Sequence, residues 1–172
     1  GFRPAGAALA LAAAFSWPVV AYANGATGAQ ALVGTAAVTH RGTQTLVQTT
    51  NGTGGFSAIN WQSLSVPAGH TMRFLQPDAQ SLSINRVVGS NPSEIFGTLS
   101  SNGKLVLVNP FGIAVGAGAV VDTAGFTAST LRMSDADLLA GRLVFGDGPA
   151  AGLHVAGRIL ARSGDVVLIA PD

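Results

Sequence analysis

Short stretches of alternating polar and apolar residues, cut at even intervals by turn residues, dominate this chain. From Gln44 to Thr50, Leu46, Gln48 and Thr50 stand against Val47 and Thr49, the period of two that marks a half-buried strand. Val38-Thr39-His40 predicts a strand before it, with Arg41-Gly42 as the turn between them. Asn51-Gly52 and Gly54-Gly55 mark the next turn, and Ser57–Trp61, Leu64–Val66 and Thr71–Leu75 read as strands until Pro77-Asp78 interrupts. Farther on, Ile95–Leu99, Lys104–Val108, Ile113–Val115 and Ala119–Asp122 are separated by Ser100–Gly103, Asn109–Gly112 and Gly116–Gly118. Strands of four or five residues thus recur about every 8–10 positions. Leu143–Phe145, Leu153–Val155, Arg158–Ala161 and Val166–Ala170 extend the series. The single helical signal is Ser134-Asp135-Ala136-Asp137, with Ser134 as N-cap, acids in the first turn and Gly141 as a stop.

Evenly spaced short strands allow a sandwich, a barrel or a β-helix. Two features favour the last. Leu105–Val108 and Val166–Ala170 are almost wholly apolar, as in parallel sheets covered on both faces. The corners are short, and no crossover helices stand between the strands, which removes a βαβ fold. The all-β reading is therefore a right-handed solenoid of stacked coils whose open end must be capped or continued. The chain ends at Ala170-Pro171-Asp172 directly after an apolar strand, so a continuation beyond it is expected. No domain boundary or linker interrupts the series.

The N-terminus differs. Arg3, an apolar run from Ala5 to Phe15, and Ala21-Tyr22-Ala23 form the basic, apolar and small-x-small pattern of a secretory leader. The expectation is a partial signal peptide over residues 1–23, cleaved after Ala23, with residues 24–172 as one domain. An apolar run of this length is too short to span a bilayer. An exported chain with no cysteine must be held by burial and hydrogen bonds rather than disulfides, and nothing covalent prevents it from staying extended in transit.

Of 172 residues, only 10% are charged while 48% are hydrophobic, with nine basic and eight acidic side chains. That balance excludes a disordered charged tail and lacks the basic stripe of a nucleic-acid surface. His40, His70 and His154 are widely separated and fit no metal-ligand spacing, so no metal or other cofactor is expected. No G-x-S-x-G elbow is present, and Gly116-Ala117-Gly118 lacks the rest of a dinucleotide fingerprint. A polysaccharide-degrading β-helix would need grouped acids; here they are scattered, apart from Asp135 and Asp137 at the helix start. The reading is a non-enzyme without a small-molecule substrate.

Several ordered motifs carry a family resemblance: Ile59-Asn60-Trp61-Gln62-Ser63-Leu64, Phe74-Leu75-Gln76-Pro77, Asn85-Arg86-Val87-Val88-Gly89, Pro92–Leu99, Ser101-Asn102-Gly103 and Val108-Asn109-Pro110-Phe111-Gly112-Ile113. In order and spacing the chain from about Ala31 to Pro171 resembles the two-partner secretion domain, or haemagglutination-activity domain, at the N-terminus of filamentous-haemagglutinin-type exoproteins. Phe111 departs from the family pattern by replacing an Asn in the Asn-Pro-Asn-Gly turn. The resemblance implies a right-handed parallel β-helix with N-terminal capping strands and small extra-helical elements. It implies secretion through the periplasm of a Gram-negative bacterium to the cell surface. The partner would be an outer-membrane β-barrel transporter of the TpsB type with periplasmic POTRA domains, and the host cell would be met through the rest of the exoprotein. Asn85, Arg86, Asn102, Gly103, Asn109, Pro110, Gly112 and Ile113 become the candidate transporter-recognition or structural-turn residues. The alternatives are a module that itself binds host cells or glycans, for which cation clusters and stacking platforms are missing, the β-helical enzyme, and an outer-membrane barrel, for which the strands fall short of about 9–11 residues and the aromatics form no paired girdles.

Overall fold

The structure is a computed structural model describing residues 25–146, 148 and 151–172; the leader expected at 1–23 lies outside the described residues. Each coil contributes one strand to each of up to three faces, because a β-branched or apolar residue at every second position gives each strand one side to bury. The first coil runs through β4 (Gln44–Thr50), β5 (Phe56–Trp61) and β6 (Ser63–Leu64), and the second through β7 (Thr71–Leu75), β8 (Leu82–Val87) and β9 (Ser93–Ile95). The third comprises β10 (Thr98–Ser101), β11 (Lys104–Val108) and β12 (Ile113–Val115). The fourth holds β13 (Val120–Thr123), β14 (Gly125–Ser129), the helix α1 (Asp135–Ala140) and β15 (Leu153–Val155), before β16 (Arg158–Ala161) and β17 (Val166–Ile169).

Stacking is parallel and in register. On the first face β4, β7, β10, β13 and β16 pair in sequence, and Thr45, Met72, Leu99, Val121 and Ile159 form one inward column. The second face follows the same rule through β5, β8, β11, β14 and β17, and the third through β9, β12 and β15. Ile59, Trp61, Phe74, Leu105, Leu107, Ile113 and Phe126 fill the interior, each at most 3% exposed. The fold is a parallel β-helix.

Its N-terminal end is closed by antiparallel pairing on all three faces. β1 (Ala26–Thr27) pairs with β6, β2 (Gln30–Val33) with β5, and β3 (Thr35–Arg41) with β4 through the Arg41-Gly42 hairpin. These strands cover an edge that would otherwise offer unpaired N–H and C=O groups to another chain.

The apolar run at Leu105–Val108 is covered on both sides, as its composition implies. Leu105 and Leu107 point into the coil interior, while Val106 and Val108 join a second cluster with Ala58, Ile84, Met133 and Leu138. Three expectations need correction. Ile95–Leu99 is not one strand: the chain turns at Phe96-Gly97, where a side chain on Gly97 would overlap the carbonyl oxygens of His70 and Pro67 in the coil below. Leu143–Phe145 forms no strand, and Phe145 instead packs against the second cluster. Leu82–Val87, which the strand pattern passes over, is a central strand whose inward Ser83 and Asn85 disguise it.

Because Gly97 is tight against backbone rather than against a movable side chain, Gly97→Ala is expected to destabilise the domain by at least about 2 kcal/mol in denaturant titration. A change within about 0.5 kcal/mol contradicts the close stacking at this corner.

Candidate functional site

The candidate residues surround β8 and β11. Asn85 lies inside the prism, 2% exposed, where its Oδ1 accepts a 2.9 Å hydrogen bond from Trp61 Nε1. Its Nδ2 donates to the Ser83 carbonyl at 3.2 Å and to Ser83 Oγ at 3.1 Å. Arg86, the next residue, faces outward; its Nε donates to Asn60 Oδ1 on the preceding coil at 2.9 Å. Both residues therefore tie the second coil to the first.

The two turns flanking β11 tie the third coil to the second. Asn102 acts as a surrogate strand: Gln76 N–H donates to its Oδ1 at 2.8 Å, and its Nδ2 donates to the Gln76 carbonyl at 2.9 Å. Gln76 returns the contact through Nε2, which donates to Ser101 Oγ and to the Lys104 carbonyl. Gly103 must lack a side chain here, since a Cβ would sit 2.7 Å from the Gln76 amide and 2.9 Å from the Ser81 carbonyl. At the other end of β11, Asn109 is wholly buried, and its Nδ2 donates to the Asn91 carbonyl and to Ser93 Oγ, both at 3.0 Å. Its Oδ1 accepts from Phe111 N–H at 3.0 Å, and its carbonyl accepts from Gly112 N–H at 3.1 Å, which closes the turn over Pro110. Gly112 has φ +122°, a conformation L side chains avoid, and Ile113 then enters β12 buried.

These eight residues are not gathered on one exposed surface. They occupy two corners, the central strand β8 and the first position of β12, and of the eight only Asn102 is exposed. Phe111, beside them, is 47% exposed. Four of the eight, Asn85, Arg86, Asn102 and Asn109, bond across coils through their side chains. Their partners Gln76 and Ser93 lie within the quoted motifs without being singled out as site residues, and Ser83 lies in none; all three are buried polar residues. A polar residue at an inward strand position or just past a strand end was the available signal.

Two of the acidic residues, Asp122 and Asp137, are each held by an arginine away from these turns. Asp137 accepts from the Ser134 hydroxyl at 2.7 Å and from Arg142 Nε at 2.9 Å, while its own N–H donates to Ser134 Oγ at 3.1 Å, a reciprocal helix cap. The Ser134 hydroxyl, then Arg142, holds the Asp137 carboxyl below the usual carboxylate value. The Arg162 guanidinium does the same for Asp122 through two 2.6 Å hydrogen bonds and is itself pushed up by that carboxylate. Among the described residues, no group of three or more His, Asp or Glu is placed to hold a metal ion.

A coiled parallel stack with paired Asn turns matches a known family. Residues 23–171 match the description "TPS secretion domain". The chain belongs to the TPS secretion domain family. The secretion domain of HMW1 from Haemophilus influenzae superposes with a TM-score of 0.76 at 31% identity, covering 85% of this chain and 39% of that one. Two heme/hemopexin-binding proteins of Haemophilus influenzae are 43% and 39% identical over 72 residues, or 42% of this chain. That shared segment spans only 8% of those relatives' length. As in other TPS domains, the role is in secretion of an exoprotein.

Two outcomes follow for this TPS domain. Asn85→Ala strands the Trp61 N–H in an apolar interior, so a loss of about 2–3 kcal/mol is expected in denaturant titration, and Asn109→Ala is expected to cost a similar amount. The lowered native values at Asp122 and Asp137 mean that both groups stabilise above the unfolded carboxylate value of about 4, and that this contribution is lost as pH falls through the native values. Melting temperature is therefore expected to drop on acidification below about pH 4, with a shallower slope in Asp122→Asn and Asp137→Asn.

Proposed function

We propose that this domain addresses its exoprotein to a dedicated outer-membrane β-barrel transporter with periplasmic POTRA domains and then templates β-helix folding at the cell surface. The N-terminal leader, cleaved after Ala23, takes the chain to the periplasm. There the unfolded chain, free of disulfides, offers its short strands to a POTRA sheet edge by β-augmentation. The observation that carries this reading is the order of pairing along the prism. Its N-terminal end is closed by β1, β2 and β3 in antiparallel pairs, and from there each coil pairs in parallel with the one before it. Each coil therefore finds its template in the coil that precedes it in the chain.

Under this proposal the Asn85–Ile113 residues serve transport by making the first coils fold once they emerge, rather than by forming a ready-made contact surface. Folding free energy released outside would draw the chain through the pore. A polysaccharide-degrading role is disfavoured because Asp122, Asp135 and Asp137 are each committed to an arginine.

Secretion of the exoprotein by cells carrying its transporter tests this. Deleting Asn85–Ile113 is expected to leave the protein in the periplasm, and Asn102→Ala combined with Asn109→Ala to lower the amount in the medium severalfold. Normal secretion of the deletion variant would defeat the proposal.

A further inference from the structure

The fourth coil leaves the regular path between β14 and β15. Lys104 pairs with Gly125 one ordinary coil later, but Phe126 pairs with Val166 across nearly twice that length of chain. The extra chain does not trail into solvent. An antiparallel bridge between Arg132 and Gly146 closes its base, with hydrogen bonds of 3.2 and 2.8 Å. Between those residues it runs back over the outer side of the second face.

There it reaches all three earlier coils. Met133 and Leu138, at 4% and 0% exposure, pack in one cluster with Phe56 and Ala58 of β5, Ile84 of β8, and Val106 and Val108 of β11. The helix ends at Gly141 (φ +69°), so close to Phe56 that a Cβ would lie 2.7 Å from its ring. Arg86 bolts the excursion down: one guanidinium nitrogen donates to the Met133 carbonyl at 3.1 Å, another pairs with Asp135 at 2.7 Å, and Nε stays on Asn60.

Every surface this segment covers precedes it in the sequence. The first three coils pair with one another without it, yet their outer apolar row stays bare until residues 130–146 arrive. We propose that residues 130–146 are a latch that docks after the first three coils have stacked and turns a reversible stack into a kinetically locked one. A contact made after the transition state slows unfolding and leaves folding speed alone. The latch would thus keep emerged coils from unravelling while the rest of the chain is still in transit.

Refolding and unfolding rates of the full chain across a denaturant series test this without any transporter, so failure here leaves the secretion reading standing. Leu138→Ala is expected to raise the unfolding rate about thirtyfold and to change the refolding rate by less than about twofold. Leu99→Ala, inside the first three coils, is the comparator and is expected to slow refolding. Should Leu138→Ala not fold, Leu138→Val gives the same pattern on a smaller scale, about threefold to tenfold in unfolding. If either Leu138 variant slows refolding as much as Leu99→Ala does, or leaves unfolding unchanged, the latch is overturned.

Discussion

In-register pairing of each coil with the one before it is the constraint on which the rest of this molecule depends. No coil can bury its own inward side chains; Met72 needs Thr45 below and Leu99 above, and Phe126 needs Leu105 and Val166. A slip of one residue would turn every inward side chain outward. The polar residues inside and at the corners set the register, because each finds its partners at one height only. Asn102 fits the Gln76 peptide, Asn109 fits Asn91 and Ser93, and Asn85 fits the Trp61 indole.

That arrangement reconciles a family signature rich in Asn and Gly with its lack of a common surface. A buried amide that loses its partner costs more than the bond contributes when made. The asparagines therefore penalise misstacked coils more than they strengthen correct ones. Gly103 and Gly112 permit the close approach and backbone angle these amides require. The signature thus reads as an instruction for folding, and under the proposed function it serves secretion by that route.

Much of this was legible in the sequence. Thr71–Leu75 is a strand over the bounds its alternation suggests, Ser134 caps the helix, and the apolar character of Leu105–Val108 reflects cover on both sides. The eight candidate residues were picked out by motif, but their role was hidden because their partners lie far along the chain, 24 positions for Asn85 with Trp61 and 26 for Asn102 with Gln76. Alternation failed at β8, where polar Ser83 and Asn85 occupy interior positions, and at Phe96-Gly97, where a corner without Asn or Pro continues an apolar run. Leu143–Phe145 has strand composition, but it belongs to the excursion over the second face.

Hydrogen exchange of the folded chain, followed segment by segment, tests most directly whether stapling between coils holds the domain together. Amides of β8 and β11, with those of Gln76 and Asn109, should exchange slowest of all, opening only with global unfolding. If they exchange as fast as the amides of β16 and β17 at the uncovered end, the stapled coils are not the stable heart of the structure and the account fails.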